Sequence, residues 1–255
     1  MADLEKTIIK AREKLEQAYL VLLKSAGFLE SKDVGKSIPG YEELRERIQP
    51  VIEADHRQLG DYKAAFSRFV SEAAFTAFNR LVGIKAMEVR GFLRQQVITK
   101  DVKTGGKSVA HLLYLEANPS ASSEPGQGIN NVLENAFEEL AQELPQLYGE
   151  QRYGILPNGS STMAVIDLIN SIPEEEWQKD DIIGWVYQYY NVAERKALKN
   201  SNAKIDEKNV HIQSQQYTPS WVVKHIVDNT LGRYYLEMYP ESALYEEIEI
   251  PVITP

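Results

Sequence analysis

The sequence predicts a mainly α-helical chain with at most a small β-hairpin. Three observations carry that expectation. Apolar residues recur at steps of three and four along most of the 255 residues, the period of helices that bury one stripe. A single stretch, Val97 to Ala110, sets a glycine pair between two short runs suited to strands. The balance of 43% hydrophobic to 25% charged residues is that of a chain able to close a sizeable core around such helices.

The same composition excludes several chemistries. There is no cysteine, which removes disulfides and thiolate metal sites and makes a reducing cytoplasm the expected setting. His56, His111, His211 and His225 never stand three or four residues apart, so no zinc site on one helix is expected and no metal ligand is assigned. The N-terminal MADLEKTIIKAREK is charged throughout, and the longest apolar run, Ala18 to Leu23, is far shorter than a bilayer requires. Neither a secretory leader nor a membrane span is expected. A formal net charge of −9 opposes a nucleic-acid-coating surface, because non-specific affinity for DNA comes from Lys and Arg neutralising phosphates. Arg12 to Lys14 and Arg195 to Lys199 read as solvated helix faces.

Taken in order, Leu4, Ile8, Ala11, Leu15, Ala18 and Leu22 alternate steps of four and three, an amphipathic helix about three heptads long that needs a partner. SKDVGKSIPG, 31 to 40, is a loop by its Gly, Ser and Pro content. The helical stretch from Tyr41 is expected to break at Pro50, which has no N–H and whose ring crowds the preceding turn. From Tyr62 to about Leu93, residues Phe66, Phe69, Val70, Ala73, Ala74, Ala77, Phe78, Leu81 and Val82 follow i, i+3, i+4, i+7 and mark the centre of the core. After the expected hairpin at 97 to 110, ANPSASSEPGQG (117 to 128) reads as a loop. Val132, Leu133, Ala136, Phe137, Leu140, Ala141 and Leu144 form the next apolar face, with Asn130 or Asn131 as its cap. A segment follows around Met163 to Ile169. A short helix opened by Pro173 then puts Glu174, Glu175 and Glu176 in its first turn, where carboxylates meet the positive end of the dipole. A longer helix from Asp181 through Leu198 comes next, and no internal repeat of fixed period is present.

Most motifs resolve to plain structure. Lys103-Thr104-Gly105-Gly106-Lys107-Ser108 invites comparison with the P-loop, but the place of that motif's first glycine is taken by Asp101, whose charge repels phosphate, and a turn is the reading. Asp61-Tyr62-Lys63, Asp101-Val102-Lys103 and Asp206-Glu207-Lys208 have the spacing of metal-dependent nucleases. Two of the three fall in expected helix or polar loop, so surface charge accounts for them better. Trp185, Tyr187, Tyr189 and Tyr190 crowd one helix and read as core rather than as a base-stacking platform. No catalytic residue is assigned.

QQYTPSWVVKHIVDNTLG, 215 to 232, is more specific. Thr218 is suited to cap a helix and Pro219 to fill its first position. Val222, Val223, Ile226, Val227, Thr230 and Leu231 then repeat so as to bury one face, with Lys224, His225 and Asp228 off the stripe and Gly232 ending the pattern. His225 reads as an ordinary exposed position. A helix start of this kind presents unpaired N–H groups and a positive dipole end that can hold a carboxylate or phosphate, although the same residues also serve as a plain helix start.

Gln216-Tyr217-Thr218-Pro219, followed by Trp221-Val222-Val223 and ending in Asp228-Asn229-Thr230-Leu231-Gly232-Arg233, resembles the opening of the methyltransferase domain in PglX-type enzymes. These are the adenine-specific DNA methyltransferases of bacteriophage-exclusion (BREX) systems, related to type IIG restriction-methylation enzymes. Phe75-Thr76-Ala77-Phe78-Asn79-Arg80-Leu81-Val82 with Met87-Glu88-Val89-Arg90-Gly91-Phe92-Leu93, and Ile183-Gly184-Trp185-Val186-Tyr187-Gln188-Tyr189-Tyr190, are similar to the family's N-terminal helical region and stand in its order.

The resemblance implies that Tyr217, Thr218 and Pro219 belong to the methyltransferase motif numbered ten, part of the S-adenosylmethionine pocket. Tyr217 would pack beside the cofactor, and Thr218 with the following helix start would offer hydrogen bonds to its methionine carboxylate. It also implies double-stranded DNA as substrate of the whole enzyme, other phage-defence proteins as partners and a cytoplasmic location. Enzymes of this kind need an Asp-Pro-Ala-Cys-Gly-Ser-Gly-like loop for the cofactor and an Asn-Pro-Pro-Tyr-like loop that grips a flipped adenine, and neither occurs in the 255 residues. The expectation is therefore a helical N-terminal domain over 1–213 that leads, at 214–255, into the first segment of a truncated Rossmann-like methyltransferase domain, inactive alone. The rival reading is a stand-alone helical adaptor that works by protein contacts, which the acidic charge favours.

Overall fold

The computed structural model describes residues 2–200, 217–243 and 246. The chain divides into two compact units, Met1–Lys179 and Asp180–Pro255. The boundary expected between 213 and 214 lies outside the described residues, as do His211 and the Asp206 triplet.

The first unit opens with α1 (Ala2–Ser25), a two-stranded antiparallel hairpin of β1 (Phe28–Leu29) and β2 (Lys32–Asp33), α2 (Glu42–Leu59) and α3 (Tyr62–Val89). A 3-10 turn at Val102–Thr104 precedes α4 (Val109–Ala117), and a second 3-10 turn spans Pro119–Ser123. Then follow α5 (Ile129–Leu140), α6 (Pro145–Tyr148), α7 (Gly159–Asn170) and α8 (Glu174–Trp177). The mainly α character and the small hairpin match the expectation from the apolar period.

The core forms where that period is most regular. All six seam residues of α1 are buried, and α1 packs on α3 and α7. On α3 the whole stripe from Phe66 to Val82 is buried, with Phe69 and Phe78 at 0% exposure. Each large side chain so removed from water contributes roughly 1.5–3 kcal/mol. The Tyr19 hydroxyl donates to the Ile155 carbonyl at 2.6 Å and fastens α1 to the segment before α7. Asp55, 0% exposed on α2, accepts from Arg152 (2.8 Å) and the Tyr153 hydroxyl (2.8 Å), so its buried charge is compensated.

Several local expectations are corrected. Pro50 lies inside α2 without breaking it. Ile48 and Ile52 on either side are buried at 0% and 2%, and the packing of α2 on α3 outweighs a defect of about 3 kcal/mol. The two-stranded hairpin lies at Phe28–Asp33, not at 97 to 110, where the chain forms an isolated bridge between Asp101 and Lys107 around a 3-10 turn. Arg45 makes the difference. Its guanidinium sits 4.5 Å over the Phe28 ring, donates to both carboxylate oxygens of Asp33 and reaches the Ala26 carbonyl at 3.0 Å. Neither Asn130 nor Asn131 caps α5. The helix starts earlier, after Gly128 at φ 70°, and the Asn130 amide donates instead to the Pro157 carbonyl.

In the second unit the helix expected from Asp181 through Leu198 is two, α9 (Ile182–Tyr190) and α10 (Val192–Asn200), parted at Asn191, whose ψ of 9° leaves the helical range. Further on come α11 (Ser220–Val227), a π-helical turn at Asp228–Gly232 and α12 (Arg233–Met238). Thr218 does not cap α11. Pro219 is extended (φ −54°, ψ 141°) and precedes the helix, which begins at Ser220. Nor is the stripe of α11 buried: Val223, Ile226, Val227 and Leu231 are 44–69% exposed. Periodicity specifies which face is apolar, whereas burial requires a neighbour, and none covers this face among the described residues.

Candidate functional site

Of the three residues singled out by sequence, Tyr217 rests on α9 and Thr218 and Pro219 follow it towards α11, all within the second unit. Asp181 stands just before α9 and accepts from the Trp185 indole N–H at 2.9 Å, and the Trp185 ring stacks on Tyr189 with centroids 5.8 Å apart. The segment 217–220 lies along this helix. The Tyr217 N–H donates to Gln188 Oε1 at 3.1 Å, and Ser220 Oγ lies 3.5 Å from Asp181 Oδ2. The segment therefore runs opposite in direction to α9, from its C-terminal half towards its start.

Gly184 is what allows Tyr217 its place. A Cβ there would stand 2.4 Å from Tyr217 Cδ1 and 2.6 Å from Cγ, so the ring rests directly on helix backbone. Gly184 and Gln188 are one turn apart and share a face, which makes them a paired seat for ring and backbone. Burial, with the Tyr217 hydroxyl as a second cause, raises the pKa of Tyr187 above the ordinary tyrosine value. Tyr217 stays 41% exposed, and Thr218 is exposed. Hydrogen bonding within α11 starts with the Val222 N–H to the Pro219 carbonyl, so the Ser220 and Trp221 N–H groups lie ahead of the first turn. A partly exposed aromatic ring beside a helix start can pack a flat or cationic group and receive an anion.

Gly184 and Gln188 were not singled out as site residues by sequence reasoning, and their only signal was membership in the Ile183–Tyr190 block. Gly184→Ala is expected to lever Tyr217 off α9. Amide hydrogen exchange would then show protection of the Tyr217 N–H falling about tenfold, with α1 and α3 unchanged.

Elsewhere the polar groups are committed to structure. A cleft of about 850 Å³ in the first unit has Arg80 in its lining, but that guanidinium donates to the Leu147 and Gly149 carbonyls and lies 4.9 Å over the Phe137 ring. Glu46, Glu134, Glu138 and Glu150 also line it, against Arg47 and Arg152, and Arg152 is held by Asp55. His111 is buried with Nε2 2.7 Å from the Gln127 carbonyl oxygen, and burial lowers its pKa. His225 is half-buried rather than exposed, beside the Asn229 amide. Among the described residues no group of three His, Asp or Glu side chains is placed to hold a metal ion, and no helix is long and apolar enough to cross a membrane.

No protein-family model matches the chain. Its sequence is 25% identical over 276 residues to the adenine-specific methyltransferase BrxX of Escherichia coli O9:H4 (strain HS), an alignment that covers 97% of this chain and 23% of that protein. It is 26% identical over 242 residues to the adenine-specific methyltransferase PglX of Lacticaseibacillus casei (strain Zhang), covering 81% of this chain and 19% of that one. This chain is a relative of the PglX-type adenine-specific methyltransferases. It spans about a fifth of the length of these curated relatives. With 97% of the chain aligned, the PglX-type similarity takes in both units, including the second, where Tyr217 rests on α9.

Proposed function

We propose that this chain supplies the helical front region of an S-adenosylmethionine-dependent adenine-N6 DNA methyltransferase of a BREX-type phage-defence system. In this reading residues 1–213 form the helical region, and the chain from 214 begins the methyltransferase domain. Tyr217, Thr218 and Pro219 line the methionine end of the cofactor pocket. The observation that carries the reading is the seating of Tyr217. Its ring rests on α9 at Gly184, its N–H is held by Gln188, and the residue stays 41% exposed just ahead of the start of α11. That is the shape of one wall of a pocket.

The exposed stripe of α11, with Val223, Ile226 and Val227 at 44–53% exposure, is the face on which the rest of a Rossmann-like sheet would pack. The glycine-rich cofactor loop and the adenine-gripping loop of such enzymes do not occur among the 255 residues. The chain by itself therefore holds part of a pocket and is not expected to methylate DNA. The cofactor supplies an electrophilic methyl group. The residues here bind and orient it, Tyr217 through its ring and the α11 start through its N–H groups.

The test is calorimetric titration of S-adenosylmethionine into a polypeptide that joins these residues to the two loops, comparing wild type with Tyr217→Ala. Loss of the aromatic contact is expected to weaken binding about tenfold, since such ring contacts are worth roughly 0.5–1.5 kcal/mol beyond their buried area. Equal affinity overturns the pocket assignment and favours the adaptor reading.

A further inference from the structure

Between Glu88 and Glu116 the chain has one acidic residue, Asp101, against Arg90, Arg94, Lys100, Lys103 and Lys107. Residues 90–107 thus carry five positive charges and one negative, a net of +4 within a chain of net −9. This local positive balance stands against an acidic remainder and makes the stretch the best candidate for contact with a polyanion.

The middle of the stretch is a small closed loop standing in solvent. Val102 is 93% exposed, and a Cβ on Gly105 or Gly106, both at positive φ, would meet nothing within 4 Å. Its backbone donors are used internally. Asp101 N–H donates to the Lys107 carbonyl (3.1 Å) and Lys103 N–H to Asp101 Oδ1 (2.9 Å). Thr104 and Gly106 N–H donate to the Asp101 carbonyl, Gly105 N–H to Val102 and Lys107 N–H to Thr104. A P-loop works by aiming free N–H groups at phosphates, so a nucleotide cradle is not what this loop offers.

It offers side chains on a fixed frame. Below the loop, the Glu88 carboxylate accepts the N–H groups of Val97, Ile98 and Thr99 and the Thr99 hydroxyl. Ser108 Oγ donates to the Val97 carbonyl (2.6 Å) and the Asn170 amide to the Ile98 carbonyl (2.8 Å). Of the five cations, Lys100 pairs with Asp167, and Arg90 donates to the Ala86 and Lys179 carbonyls. Arg94, Lys103 and Lys107 have no carboxylate partner among the described residues.

We propose that the 101–107 loop, together with Arg94, contacts the sugar–phosphate backbone of duplex DNA without reading its sequence. The proposal rests on the methyltransferase reading only for naming DNA as the polyanion. Unpaired cations on a rigid, solvated loop match a repeating phosphate array, whose affinity comes from counterion release and which demands no apolar pocket.

The experiment is fluorescence anisotropy of a labelled duplex titrated with the full 255-residue chain over about 50 to 200 mM salt. Lys103→Glu/Lys107→Glu is compared with Lys10→Glu/Lys14→Glu, which makes the same change in net charge on exposed positions of α1. The loop variant is expected to bind at least about tenfold more weakly, with a salt slope smaller by about two. The α1 variant should stay within about twofold of wild type. Equal losses in both variants, absence of wild-type binding at the lowest salt, or tighter binding of an RNA hairpin than of the duplex would each overturn the proposal. The S-adenosylmethionine titration reads the Tyr217 pocket independently, so the failure of one reading is distinguishable from that of the other.

Discussion

Phe69→Ala is expected to lower the free energy of unfolding by about 3–5 kcal/mol, read from urea denaturation followed by circular dichroism. Phe69 is 0% exposed on α3, and its ring meets Tyr153 edge-on at 5.9 Å. Truncation removes the apolar area and leaves a cavity that the surrounding helices cannot collapse into without breaking other contacts. The damage also reaches α2, because the Tyr153 hydroxyl donates to the buried Asp55 carboxylate. A loss below about 1 kcal/mol would show that the α3 stripe is not the centre of the core.

Glu88→Ala should destabilise the protein by about 3 kcal/mol or more and release the segment 97–99. The carboxylate accepts three successive N–H groups and a hydroxyl, and Val97 and Ile98 are themselves buried, so the alanine variant leaves donors with no acceptor. Each such orphan costs about 1–3 kcal/mol. Lys85 adds to the loss. Burial lowers its pKa while Glu88 and Glu174 act in the opposite sense, so without Glu88 the ammonium keeps its hydrogen bonds to neutral Thr99 and Asn170 and only Glu174 as a compensating charge. Glu88→Gln keeps one acceptor oxygen and should recover part of the effect. Hydrogen exchange at 97–99 unchanged in the alanine variant would sink this account.

How much of this was legible in the sequence varies with the range of the forces involved. The seams of α1 and α3 were read from residue spacing because both helices bury a single stripe, and spacing alone defines a stripe. Pro50 misled because local sterics predict a break, while the packing that keeps α2 whole comes from α3. The hairpin at Phe28–Asp33 was invisible because Arg45, twelve residues beyond Asp33, closes it. The same divide runs through the site. Tyr217, Thr218 and Pro219 form a contiguous motif and were singled out as candidates from it. Gly184 and Gln188 were not, since their roles need a contact across about thirty residues, and only Gln188 makes it with a side chain. Thr218 was expected to cap because the residue type suits the role, yet the extended Pro219 moves the helix start past it.

The π-helical turn at Asp228–Gly232 has a consequence for how the final helices can be gripped. It inserts one residue beyond the normal α repeat, and one residue corresponds to a rotation of about 100° around the axis. With that offset the exposed Tyr234, Tyr235 and Met238 of α12 fall on the same side as Val223, Ile226 and Val227 of α11. A single straight groove could therefore take both helices along one apolar edge, where an unbroken α repeat would have turned Tyr235 away from it.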